Sequence, residues 1–474
     1  MNDEKLYFNG VSPKGKYLMP PSSLPEVIVR LKQEGWQRPP EWIYEWAQEH
    51  AVDDPKRRPI LEVQRPWDLA ETGWCVIFAP DLDPRVRSAL GELLEHRRQQ
   101  ATRDHGNYYQ EFTYGGESTY NFLRQHGAQP GMMADPDYFP YYVLLVGDPG
   151  KLPYKFQSEL DINHAVGRIC FENLRDYENY ARSVVRAENK PRPRSQDIAF
   201  FGTEHKADPS TRQTSEGLIH KLAESILEPS MQWKVNEVLG EKARKERLAA
   251  LLGGAETPAF LFAACHGVGF DPDDSRQEAC QGALACQDWP GPADEEGIDE
   301  TQWFAASDVS DQASLDGLVA FFYACFGVGT PERDNYDLET FGKPRPIAPR
   351  PLVSRLPQRL LSHPAGGALA VIGHVDRAFP ESFSAAQKDE GIGTFLYGMR
   401  RLLQGHTVGW AMEYFNQSFA ALAAMMRDLE EDWNFREAVD VAQSAQLWLM
   451  RSDARNFVVF GDPAVRLPGV AEPR

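Results

Sequence analysis

Two apolar runs of this 474-residue chain end in side chains that can do nucleophilic chemistry together. PAFLFAACHG (258–267) ends in His266 and Gly267, and LVAFFYACFG (318–327) ends in Cys325, Phe326 and Gly327. A thiol attacks as its thiolate. An imidazole beside it either holds a thiolate–imidazolium pair or takes the proton during attack. Gly267 permits a sharp turn and a close approach by another backbone. The N–H groups of Gly267 and Cys325 can then face a developing oxyanion. One such cysteine alone reads as a small buried hydrophobe. It is the two matched endings that carry the chemistry.

The pairing requires that both runs be strands, neighbouring and parallel, and the rest of the chain supplies that setting. Short continuous apolar runs recur at 74–79, 141–148, 164–171, 197–203, 231–239, 367–376 and 457–468. Between them lie helical stretches, among them 176–189, 214–227 and 241–252, with three more at 391–404, 408–430 and 435–450. Such alternation predicts an α/β fold, a mostly parallel sheet covered by helices on both faces. The Pro-rich PRPRSQ (191–196) suggests a boundary between an N-terminal unit, 1–190, and a catalytic unit, 196–474. Two long polar stretches, acidic 271–314 and 328–351, each follow one of the two reactive endings. They read as loops around one crevice, the first as a partly disordered insertion.

The formal charge of −19 argues against nonspecific nucleic-acid binding, which needs a basic surface. No run approaches the roughly 18 apolar residues of a membrane span. The opening MNDEKLYFNGVSPKGKYLMPP lacks an apolar stretch of signal-peptide length. The six cysteines, most of them in or beside strand-like runs, do not form a disulfide framework. These features predict a soluble protein of a reducing cytoplasm, with no membrane partner. No phosphate-binding glycine loop and no solenoid repeat is present.

The order strand–His-Gly, then strand–Ala-Cys-x-x-Gly, resembles the caspase-fold cysteine proteases: caspases, gingipains, clostripain, separase and CHAT-type proteases. The likeness is strongest to gingipains. YYVLLVGDPGKLP, AVGRICFENLRDYENYARSVVRAE and FVVFGDPAVRLP are similar to their Gly-Asp, Gly-Arg and Gly-Asp-Pro strands, in order, over about 141–468. The resemblance implies a caspase-like fold with an N-terminal gingipain-like subdomain. It also implies a cysteine endopeptidase that cleaves proteins or peptides through a Cys325 acyl-enzyme with His266 as base. Two rivals use the same dyad residues: a partner-binding scaffold without turnover, and a transpeptidase or ligase. Absence of a leader sequence shifts the setting toward a regulated intracellular enzyme, with which a regulatory protein partner is compatible.

Many members of that superfamily cleave after Arg or Lys, selected by a buried carboxylate that pairs with the guanidinium. The candidates are Asp161, in the stretch corresponding to the gingipain specificity region, then Asp376, beside Arg377, and Asp148, which also suits a turn. Arg is expected over Lys. Asp462 and His374 read as structural. No cofactor or metal is expected. Zinc is set aside because Cys280 and Cys286, with Cys265 beside His266, lack its usual spacing. Calcium at DPDD (271–274) lacks the full ligand pattern.

Overall fold

All nine apolar runs form strands of one ten-stranded sheet. The structure, a computed structural model, describes residues 5–23, 39–50, 63–106, 108–132, 134–189, 196–228, 231–292, 296–338, 344–380, 383, 392–435, 441–471 and 473. In chain order the strands are β1 (Trp74–Phe78), β2 (Tyr109–Thr113), β3 (Tyr142–Val146), β4 (Ala165–Ile169), β5 (Asp197–Gly202), β6 (Lys234–Leu239) and β7 (Phe260–Ala264). A small side sheet supplies β8 (Gly267–Val268), β9 (Ala283–Ala285) and β10 (Trp303–Phe304), and β11 (Val319–Tyr323), β12 (Ala370–His374) and β13 (Phe457–Gly461) complete the main sheet. Its order is β2-β1-β3-β4-β13-β12-β11-β7-β5-β6. Neighbours are parallel from β2 to β4 and from β12 to β6, and β13 is antiparallel to β12. The central strands are buried on both faces, which is why they read as unbroken apolar runs.

β2 is the strand that the apolar pattern does not announce. Its YQEFT is half-buried and polar, as suits a sheet edge. Helices cover the sheet: α1 (Glu41–His50), α2 (Gly91–Ala101), α3 (Leu174–Asn189), α4 (Gly393–Leu403), α5 (Val408–Phe435) and α6 (Val441–Asn456). α3 buries Tyr177, Tyr180, Ala181 and Val184, spaced three and four apart on one face. Among the described residues no helix is long and apolar enough to cross a membrane.

One expectation about organisation changes. The stretch 271–314 is folded over its described residues. It contributes β9, which pairs with β8, and β10, which pairs with β9, and buries Trp289 and Trp303 in a satellite core with Val11, Val268 and Phe270. Its acidic residues hid that core because the aromatic and aliphatic residues are spread thinly between them. The N-terminal unit and the catalytic unit share one sheet, joined where β13 lies between β4 and β12. Most of the supposed boundary, residues 190–195, lies outside the described residues. Residues 5–23 lie against the later unit, with Val11 bridged in parallel to Val268.

Candidate functional site

The register of β7 on β11 brings the reactive endings together. Val319 pairs with Phe260 and Tyr323 with Ala264, so the next residues of both chains leave the same sheet edge. Cys265 N–H still bonds Tyr323 O at 3.3 Å, and one residue on stand His266 and Gly267. A Cβ on Gly267 would lie 1.8 Å from Cys325 O, so only glycine lets the histidine segment pass this close to Cys325. After Cys325 the chain bends through Phe326, a non-glycine residue at φ 58°. That conformation is uncommon for such a residue and costs about 1–3 kcal/mol. Phe326 N–H donates to Asp376 O (2.8 Å), and Phe326 O accepts from the Ser354 hydroxyl (2.5 Å). Together these bonds fix the bend.

The Cys325 thiol is fully buried and accepts a bond from Ala378 N–H at 3.2 Å. Burial pushes the thiol up to about 12, against the opposing pull of that N–H and of Arg377. His266 is also fully buried. Its Nε2 lies 2.6 Å from Asp208 Oδ2, and its Nδ1 accepts from Gly10 N–H at 2.8 Å. Since Nδ1 accepts, Nε2 carries the proton and donates to the carboxylate. Burial would raise the Asp208 carboxyl. Attraction and hydrogen bonding from His266, with bonds from the Tyr17 and Thr211 hydroxyls, outweigh it and hold the group well below the usual carboxylate range.

Asp208 is the residue sequence reasoning missed. It follows β5, the strand beside β7, and caps the short helix Pro209–Thr214 through Ser210 N–H. The signal was present: Asp-Pro-Ser after an apolar strand reads as a helix start. Nothing in it announces that the other carboxylate oxygen reaches a histidine 58 positions away. His205 stacks parallel to His266 at 6.4 Å, and burial followed by repulsion from His266 brings it down to about 4.

The three specificity candidates separate. Asp376 adjoins the nucleophile segment through its carbonyl bond to Phe326 and lines a cavity of about 460 Å³ with Tyr154, Pro331, Arg451 and Arg455. Arg377 gives both of its terminal nitrogens to Asp334, at 2.5 and 2.7 Å, and stands 3.9 Å from the Asp376 carboxylate. Asp148 caps its own turn at Gly150 N–H and pairs with Arg350 at 2.8 Å. Asp161, ranked first in the sequence, sits in the turn before β4. It precedes β4, whereas Asp148 follows the parallel neighbour β3, so the two stand at opposite ends of the sheet. Asp161 Oδ1 accepts Val166 N–H, and the carboxyl is buried and pushed well above its usual range. Its role is to close the turn into β4.

Asp462 is fully buried and binds Trp74, Arg97 and Ala464 N–H. His374 Nε2 bonds Asp453 at 3.0 Å. All six cysteines are free thiols. In the acidic turn after β8, Asp274 is paired with Arg276 at 2.7 Å. Among the described residues no group of three or more His, Cys, Asp or Glu side chains is arranged to hold a metal ion.

The model of peptidase family C25 matches residues 70–468. Comparison with curated proteins returns no match. Among solved structures, one described only as a protease is 14% identical, covers 85% of this chain and 80% of its own, and has a TM-score of 0.46. The Arg-specific cysteine proteinase gingipain R is 13% identical, with 87% and 80% covered and a TM-score of 0.46. A complex of the Porphyromonas gingivalis RgpB pro- and mature domains is 11% identical, with 83% and 80% covered and a TM-score of 0.43.

Proposed function

The chain belongs to peptidase family C25 and is a cysteine-type peptidase acting on proteins or peptides, and on that premise we propose that Cys325 is its nucleophile and His266 its general base and acid. What supports this reading is the setting of the imidazole. Nε2 is tied to Asp208, which leaves Nδ1 turned toward the space that Gly10 shares with Cys325 Sγ. The Cys325 thiol proton passes to Nδ1 as Sγ attacks the peptide carbonyl carbon. The oxyanion forms against the N–H groups of Gly267 and Cys325. The C–N bond breaks as Nδ1 returns the proton to the leaving amine, and water, deprotonated by His266, hydrolyses the thioester. Asp208 keeps the imidazole in the tautomer and orientation that this sequence needs.

Cleavage after a basic residue, Arg over Lys, is the specificity this reading carries, with Asp376 now the first carboxylate to test. It is the one of the three beside the nucleophile segment. Profiling on a peptide library reports activity and primary specificity together. Cys325→Ala and His266→Ala are each expected to abolish turnover in a folded protein. Wild-type turnover by folded Cys325→Ala would overturn the dyad. A profile favouring acidic or large apolar residues would overturn the basic pocket alone.

A further inference from the structure

Residues 8–11 run directly over the reactive pair. Val11 N–H bonds Gly267 O at 3.1 Å, Gly269 N–H bonds Val11 O at 2.8 Å, and Leu18 N–H bonds Gly10 O at 3.0 Å. This is strand addition to β8, the way an extended peptide is held by its main chain on a sheet edge. On the other side, Phe8 is fully buried and meets Phe379 edge-on at 5.6 Å. Phe379 follows Ala378, whose N–H contacts the thiol. The Asn9 side chain takes the Ser210 hydroxyl at 2.5 Å, and Tyr17 bonds Asp208 at 2.6 Å.

Gly10 stands at the centre. Its N–H is on His266 Nδ1, its φ is +95°, and a Cβ there would lie 2.8 Å from Cys325 Sγ. No other residue fits both the backbone conformation and the thiol. The nitrogen that must exchange a proton with the thiol and then with a leaving amine is thus engaged by a backbone amide of the same chain. Cys325 and His266 have no exposed surface, so no substrate carbonyl reaches Sγ while the segment stays.

We propose that residues 8–11 fill the groove in which a substrate backbone lies, with Gly10 N–H at the position of the leaving amine, and hold the enzyme latent until the segment is displaced. The proposal rests on the dyad reading above and adds the occupant of its cleft. The hold is built to be released. Asn9 Nδ2 is buried with no hydrogen-bond partner, a cost that a displaced segment recovers in water. The segment's exchange for substrate is a competition between two peptides for the same main-chain groups of Gly267 and Gly269.

The test uses the full chain and two readouts. One is the rate at which iodoacetamide alkylates Cys325, followed by mass spectrometry of its peptide, which needs access and no turnover. The other is hydrolysis of a peptide library. Gly10→Val places a Cβ against the thiol at a φ that valine avoids. It is expected to raise the alkylation rate about tenfold or more, because labelling follows the open fraction, and to raise turnover with it. Phe8→Ala removes the apolar anchor without a clash and is expected to act in the same direction, which keeps the test valid if Gly10→Val does not fold. Folded variants whose Cys325 reacts no faster than wild type would overturn the proposal. So would a wild-type Cys325 that already reacts like an unfolded thiol. Faster alkylation with no turnover of any peptide would remove the dyad reading, and latency with it, leaving the segment as a cover over an inert thiol.

Discussion

At Asp208 one carboxylate serves two purposes. Oδ1 takes Ser210 N–H at the helix start, and Oδ2 takes His266. Asp208→Asn keeps an oxygen for the cap but loses the charge and can leave His266 in the wrong tautomer. The protein should fold while kcat drops by about two to four decades. A variant at wild-type kcat would remove Asp208 from the mechanism. The same carboxylate has a pH signature. Its folded value lies below its ordinary 3.8, so its contribution to stability is present above about pH 4 and is lost as pH falls below that. Urea melts at pH 6 and pH 3 should therefore differ less in Asp208→Asn than in wild type. Cys265 is the control for Cys325. It is buried in the main core, with burial the main cause of its raised thiol. Cys265→Ala should cost about 1 kcal/mol of stability and keep substantial activity, as steady-state assays will show.

Between elements, α5 carries Glu413, buried beside Tyr141 and bonded to Arg401 at 2.7 Å. Burial wins over that pairing and raises the carboxyl from its ordinary 4.5 to about 7. A raised folded value means the contribution to stability is full below about 4.5 and is lost as pH rises through about 7. Glu413→Gln should therefore gain relative to wild type between pH 5 and pH 8, by on the order of 2–3 kcal/mol, read from denaturant melts at both values. An unchanged difference would place the Glu413 charge in contact with solvent. The strands around this helix were legible in the sequence because burial on both faces leaves continuous apolar runs, and the His266 and Cys325 endings followed from two such runs. Other features depended on contacts with no local pattern. β2 is polar and half-buried, Phe326 takes a left-handed turn without glycine, and the folded stretch 271–314 hides Trp289 and Trp303 among acids. Asp161 reads as a pocket group by resemblance alone, which does not disclose that its carboxylate accepts Val166 N–H.

Across the whole molecule, the two ends of the chain converge on the two halves. Residues 5–23 reach the catalytic half, and Asp462, just past β13, reaches back to Trp74 and to Arg97 on α2. Arg97 is almost fully buried between Asp462 and Glu188, at 2.7 Å from each. Arg97→Ala would leave the fully buried Asp462 carboxylate, and the partly buried Glu188, without their shared cation, at a cost of about 3–5 kcal/mol, visible as a lower denaturant midpoint. A midpoint within error of wild type would mean that water enters there.

The position of β13 sets a condition on synthesis. Its neighbours β4 and β12 are complete in the nascent chain long before residues 457–461 leave the ribosome, and no other strand lies between them. Until then each half presents an open apolar edge, the kind of surface on which unfinished chains of different ribosomes pair with one another. Chains stalled or truncated before Phe457 should therefore appear in aggregates and bound to chaperones, while the full-length product of the same message stays in solution.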